Sequence, residues 1–180
     1  MVWTGTEIVM VYTDETTGLY AQRFAPTSGA RIGPRTTILT GIVGINRPRL
    51  VWNGNGFGLA WTDKRTGVNQ NYFTRLDATA ARIRGQNNIA LTAGEQATAV
   101  TLAWTGAGYY LAWQEAFGGV TQTMVAAIDL SGAITYGPTL VGPAISEGPA
   151  IAWTGTRLGI GYSVPSATVS DMVFALVSCP

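Results

Sequence analysis

The sequence predicts an all-β protein, a β-propeller-like array of about four four-stranded blades in which the last blade is incomplete. Three observations predict it: a motif recurs every 49–52 residues, short apolar segments alternate with glycine-containing turns, and these segments are apolar on both faces. Four-stranded units of about 40–50 residues that stack face to face are typical of propeller blades.

A tryptophan, a small polar residue and a glycine recur four times along the chain, and the tryptophans lie 49, 52 and 49 residues apart. The four copies are Trp3-Thr4-Gly5, Trp52-Asn53-Gly54, Trp104-Thr105-Gly106 and Trp153-Thr154-Gly155. Nine residues after each tryptophan stands a second aromatic residue: Tyr12, Trp61, Trp113 and Tyr162. The repeats predict a single domain with blades at approximately 1–46, 47–98, 99–147 and 148–180.

Each repeat divides into four short strands. The first strand ends at the motif tryptophan, and the following polar residue and glycine form a tight hairpin, because glycine adopts the positive φ of such turns. The second strand ends at the second aromatic residue. The third strand is predicted at 20–24, 72–76, 124–128 and 172–176, and a weaker fourth strand at 38–39, 89–91 and 139–141. The fourth repeat stops after its third strand, so about 15 strands are expected.

The second strands indicate how the sheets stack. One face of each carries large residues, for example Phe57, Leu59 and Trp61, whereas the other carries mostly small residues, such as Gly58 and Ala60. A sheet with one solvated face would alternate apolar and polar residues. We therefore expect the large face of each sheet to fill the space left by the small face of its neighbour.

The stretch from Pro48 to Thr92 carries a resemblance to a known family. It contains a proline-led strand that ends in Trp52, an Asp63-Lys64-Arg65-Thr66-Gly67 loop, and a closing Leu91-Thr92. This pattern resembles the blade repeat of TolB-type propellers and is similar to uncharacterised bacterial secreted propeller repeats. The resemblance covers the chain repeat by repeat. It implies protein or ligand binding, with enzymes as a minority, and no catalytic residue is carried over from it.

The composition excludes several classes of function. The chain has 180 residues, no histidine and a net charge of +1, so a Ser-His-Asp triad cannot form and nucleic acid is not an expected partner. The single cysteine, Cys179, allows no internal disulfide. The uncharged stretch 96–114 contains a turn signal and predicts two strands rather than a membrane span. We expect no cofactor, no metal site and no membrane partner. The N-terminus does not resemble a signal peptide, although the repeat type weakly favours an exported parent protein.

The loop after each second strand holds the candidate ligand-binding residues. The first three repeats carry an acid two residues after the second aromatic, at Asp14, Asp63 and Glu115, and the second repeat adds Arg65. Such acids could hold sugar hydroxyls or a cation, or could simply cap their own loops. Trp61 and Trp113 stand beside this loop and are candidates for stacking on a sugar. The motif residues named above, with Tyr12 and Tyr162, are expected to serve the blade itself.

The sequence therefore favours a non-catalytic binding or scaffold module with a glycan or protein ligand. One alternative is a purely structural, self-assembling propeller fragment. Another is an enzyme resembling a glycoside hydrolase, which would need two carboxyl groups close to one sugar. Slightly fewer than four blades leave three outcomes open: a small four-bladed ring that closes without its last outer strand, two chains that join into a larger ring of roughly eight blades, or a piece of a longer protein. Because an unclosed array would expose an apolar face at each end, we also expect self-association, including a dimer that completes a larger ring.

Overall fold

The computed structural model describes residues 1–14, 18–86, 88–92, 96–142, 145–166, 168 and 170–177. The described residues form fifteen strands in four antiparallel sheets, and the last sheet has three strands instead of four. This confirms the predicted all-β class and the incomplete last repeat. Cys179 lies outside the described residues.

Each sheet consists of strands that are consecutive in the chain and neighbours in space. The first sheet contains β1 (Val2–Trp3), β2 (Ile8–Thr13), β3 (Leu19–Phe24) and β4 (Arg31–Leu39). The second contains β5 (Asn46–Trp52), β6 (Gly56–Asp63), β7 (Gln70–Asp77) and β8 (Ile89–Ala90). The third contains β9 (Ala97–Trp104), β10 (Tyr109–Phe117), β11 (Val120–Ile128) and β12 (Ile134–Leu140). The fourth contains β13 (Glu147–Trp153), β14 (Leu158–Pro165) and β15 (Ser170–Val177).

The hairpin after each first strand follows from the repeated motif. The motif glycines have φ between 94° and 99°, a conformation that favours glycine. The preceding polar side chain closes the turn: the Thr105 hydroxyl accepts a hydrogen bond from the Gly108 amide at 3.2 Å, and Asn53 accepts one from Gly56 at 2.8 Å. The small polar residue of the motif is thus an Asx- or Ser/Thr-type turn residue.

A second kind of turn joins β7 to β8 and β11 to β12. Asp77 accepts hydrogen bonds from the backbone and the hydroxyl of Thr79 and from the Ala81 amide. Burial raises the pKa of Asp77, but these hydrogen bonds outweigh burial and hold the pKa below its ordinary value of 3.8. The hydrogen bond from Ser131, with further bonds from backbone amides, lowers the pKa of Asp129 in the same way.

The sheets stack with large residues against small ones, as the second strands predicted. The large face of β6 packs against the first sheet, and the large face of β10 packs against the second. The Tyr109 ring lies so close to Gly58 that a Cβ there would be 2.5 Å from the ring. Leu158, Ile160 and Tyr162 of β14 pack in turn on the third sheet. The core therefore lies between successive sheets.

Within the described residues, the four sheets form an array that does not close into a ring. The first strand of each sheet contacts the first strand of the next, from β1 to β5, β5 to β9 and β9 to β13. No strand of the first sheet packs extensively against a described strand of the fourth. In the described part of the chain, no helix has the length and apolar character needed to cross a membrane.

Candidate functional site

Antiparallel order places the loops with the predicted site residues at one rim of the array. In each sheet the connection between second and third strand lies at the same edge as the connection from the previous sheet. Asp14, Asp63 and Glu115 stand at this edge, at or just beyond the second strands. We call this edge the acidic rim, defined by these three residues.

Asp14 closes the loop between β2 and β3. Its carboxylate accepts a hydrogen bond from the Gly18 amide at 2.8 Å and another from the Tyr20 hydroxyl at 2.9 Å. The hydrogen bond to Asp14 raises the pKa of Tyr20, and burial adds to this rise. The Arg35 guanidinium lies 4.2 Å from the centre of the Tyr20 ring. The carboxylate thus organises its own loop.

Asp63 is fully buried and forms an ion pair with Arg65 at 2.6 Å. The indole nitrogen of Trp61 donates to the same carboxylate at 2.8 Å, and the Arg65 amide donates at 3.0 Å. The Arg65 guanidinium also covers the Tyr72 ring, 3.9 Å from its centre. These contacts satisfy a charge that would be costly to bury alone.

Glu115 occupies the equivalent place in the third repeat and is buried, but it borders two clefts. The Trp113 indole nitrogen donates to its carboxylate at 2.9 Å. Glu115 lines a cleft of about 250 Å³ together with Gln96, Thr98 and Thr121. It also lines a second cleft of about 380 Å³, which the second sheet helps to form through residues 90–92. The Glu115 carboxylate is therefore held by the Trp113 indole and also borders two clefts.

The tryptophans at the acidic rim cannot stack on a sugar. Trp61 and Trp113 have no exposed surface, because each lies on the large face of its sheet and the preceding sheet covers it. The expectation that they offer open ring faces is therefore corrected. The motif tryptophans are more accessible: Trp3 is 51% exposed, and Trp52, Trp104 and Trp153 are partly buried.

The structure also contains a recurrent bulge that sequence reasoning missed. Arg47, Ala99 and Gly148 occupy the same place near the start of three first strands, and all three have φ between 51° and 60°. The strand pairing shifts register there in β5, β9 and β13. The shared 52- and 49-residue spacing could have drawn attention to this position. Bulges of this kind bend their strand and re-aim neighbouring side chains, and Glu147 directly precedes the bulged Gly148.

The charged groups show no arrangement typical of a metal centre. Within the described ranges, no three histidine, cysteine, aspartate or glutamate side chains lie close enough together to hold a metal ion. Glu147 begins β13 and is exposed on the same side of the array as Glu115. Two glutamates of adjacent sheets therefore lie at the same edge of the array, Glu115 buried and Glu147 exposed.

Comparisons with known proteins found solved structures of similar fold. No protein-family model matches the chain, and no curated protein is significantly similar to it. An endo-arabinase from Bacteroides thetaiotaomicron has a similar structure, with a TM-score of 0.52 and 15% identity over 94% of this chain and 74% of that one. An α-L-arabinofuranosidase from Lactobacillus brevis has a TM-score of 0.52 and 15% identity over 93% of this chain and 66% of that one. An endo-1,4-β-xylanase from Bacteroides thetaiotaomicron has a TM-score of 0.51 and 13% identity over 95% of this chain and 75% of that one.

These similarities support the propeller fold and correct one expectation. At 13–15% identity they establish the fold alone, and they do not show the resemblance to TolB-type propellers, which stays a prediction. The prediction of a non-catalytic binding or scaffold module is wrong on this finding, because the similar structures are glycoside hydrolases. Equivalence between repeats does not exclude a single asymmetric site, since one repeat can carry a site that its neighbours lack.

Proposed function

We propose that this chain is a propeller-type glycoside hydrolase that acts on arabinan- or xylan-type polysaccharides. The arabinan and xylan class comes from the three enzymes with a similar fold. The observation that carries the proposal is the position of Glu115. Glu115 borders two clefts, and its carboxylate is held by the Trp113 indole.

A glycoside hydrolase needs a second carboxyl group, and we assign this role to Glu147. Retaining enzymes place their two carboxyl groups about 5–5.5 Å apart and inverting enzymes about 6.5–9.5 Å apart. Glu147 lies at the start of β13, which packs against both β9 and β10, the strands that carry Thr98 and Glu115. Glu147 is exposed, whereas Glu115 is 6% exposed. The pair therefore offers one enclosed carboxyl group and one that water can reach.

The two environments suit the two roles in glycoside cleavage. The Glu115 carboxyl group would protonate the oxygen of the leaving sugar as the bond between that oxygen and the anomeric carbon breaks. The Glu147 carboxylate would take a proton from the water that attacks the anomeric carbon, or would attack that carbon itself. Gln96, Gln114 and Thr121, which line the smaller cleft beside Glu115, supply hydrogen-bonding groups for sugar hydroxyls.

Hydrolysis of debranched arabinan, arabinoxylan and xylan, measured as new reducing ends, tests the proposal. Glu115→Gln and Glu147→Gln should each lower the rate by at least about 100-fold, the usual contribution of a general acid or base. Glu115→Gln should retain more activity on a 4-nitrophenyl arabinofuranoside, whose leaving group needs no protonation. Asp171→Asn, at an exposed acid on the outer strand β15, is the control and should keep full activity. The proposal fails if the wild type cleaves none of these substrates faster than the Glu115→Gln/Glu147→Gln double variant.

A further inference from the structure

Among the residues that the structure describes, the first and the last sheet each leave one face without a neighbouring sheet. Ile8, Met10 and Tyr12 of β2 are only partly buried, and Trp3 pairs with Ile8 and lies on the same face. Their counterparts in the second sheet, Phe57, Leu59 and Trp61, have no exposed surface. We call the surface of Trp3, Ile8, Met10 and Tyr12 the large terminal face.

The fourth sheet is uncovered on its opposite, small side. Gly159 and Gly161 of β14 pair there with Leu176 and Phe174 of β15, and Ala152 lies beside Gly159. Phe174 is 66% exposed and Leu176 is 51% exposed. We call the surface of Ala152, Gly159, Gly161, Phe174 and Leu176 the small terminal face.

The contacts between sheets inside the chain show what such a face accepts. Gly58 stands six residues after Trp52, and Gly159 stands six residues after Trp153, so the two occupy the same repeat position. Gly58 is covered by the Tyr109 ring of the next sheet, whereas the ring nearest to Gly159 is Phe174 from its own sheet. The small terminal face therefore repeats a surface that receives large side chains of a following sheet elsewhere in the chain.

We propose that the small terminal face of one copy of this chain binds the large terminal face of a second copy. The contact repeats the stacking that joins each sheet to the next within the chain. Large residues of β2 in one copy fill the space above the glycines of β14 in the other copy. The residues that define the two faces are all uncharged, so the contact between them is mainly apolar. The contact is head-to-tail, and a pair of chains that closes on itself uses both faces of both chains.

Sedimentation equilibrium of the chain across a range of concentrations tests this contact. The expected mass is twice 19.0 kDa or a higher multiple, whereas 19.0 kDa at every concentration up to about 100 μM, well above a typical micromolar Kd, overturns the proposal. Gly161→Glu should abolish association while the chain stays folded, because a Cβ at Gly161 would meet no atom nearer than 4.0 Å. Met10→Lys should abolish it from the other face. Thr139→Glu, at an exposed position of β12, is the matched charge control and should associate like the wild type.

Mixing the two variants separates head-to-tail pairing from other contacts. Gly161→Glu keeps an intact large terminal face, and Met10→Lys keeps an intact small terminal face, so the mixture should form a hetero-dimer although neither variant associates alone. If either variant associates alone, or if the mixture stays monomeric while the wild type does not, the assigned pairing is wrong. Far-ultraviolet circular dichroism must show wild-type strand content for both variants.

Discussion

Gly58→Ala tests the large-on-small stacking directly. A Cβ at this position would lie 2.5 Å and 2.6 Å from two carbons of the Tyr109 ring and 3.2 Å from the Phe73 ring. The Tyr109 ring cannot yield, because it is fully buried and lies 4.9 Å from the Trp104 ring centre and 5.1 Å from that of Phe73. Overpacking a well-filled core costs about 1–3 kcal/mol, and in a domain of this size each kcal/mol lowers Tm by about 2–4 °C. We expect a decrease in Tm of about 2–12 °C.

Gly159→Ala is the matched control, since it changes the same repeat position in the last sheet. Its Cβ would lie 2.8 Å from the Phe174 ring, but that ring is exposed and can rotate away. We therefore expect a change within about 0.5 kcal/mol, the usual range for surface substitutions. Differential scanning calorimetry at one low protein concentration compares the two variants with the wild type. Equal losses in both variants, or no loss in Gly58→Ala, would refute the stacking argument.

Three other substitutions have defined outcomes. Arg65→Met removes the cation from the fully buried Asp63 and should lower the free energy of unfolding, measured in urea, by about 3 kcal/mol; an unchanged midpoint would contradict this. Tyr109→Phe removes the hydroxyl that accepts from the Asn53 amide at 2.6 Å and should cost about 1 kcal/mol in the same assay. Because the folded pKa of Asp77 is depressed, its stabilisation is complete above its ordinary pKa of 3.8 and is lost as the pH falls through the lower folded value. Asp77→Asn should therefore lower Tm at neutral pH and should have the same Tm as the wild type at a pH below the folded pKa of Asp77. A difference in Tm that stays constant across pH would contradict the stabilising role of the Asp77 carboxylate.

The strands were predictable because their signals are local. Alternation of large and small residues, with glycine at positive φ in each hairpin, is sufficient to define β2, β6, β10 and β14. The fourth strands were less visible. β4 spans Arg31–Leu39, far more than the predicted 38–39, because its exposed polar residues pair through the backbone and leave no apolar pattern.

The site was harder to predict because it depends on neighbouring sheets. The ion pair between Asp63 and Arg65 is local, yet the burial of Asp63 and Trp61 is imposed by the first sheet. Residues of β8, β9 and β12 form walls of the clefts beside Glu115. Because these strands come together only in the fold, the residue spacing within the third repeat does not predict the clefts. The bulge at Ala99 is marked only by its spacing from Arg47 and Gly148, because alanine, unlike glycine, is not a residue that indicates positive φ.

The consecutive order of strands within every sheet has a mechanical consequence. No strand from one end of the chain completes a sheet at the other end, so nothing in the described topology fastens the first sheet to the last. A chain pulled by its two ends in an optical trap should unravel one sheet at a time. Rupture of each of the first three sheets should release one repeat of 49–52 residues, a gain in contour length of about 175 Å at the reach of an extended chain, and rupture of the three-stranded last sheet should release less.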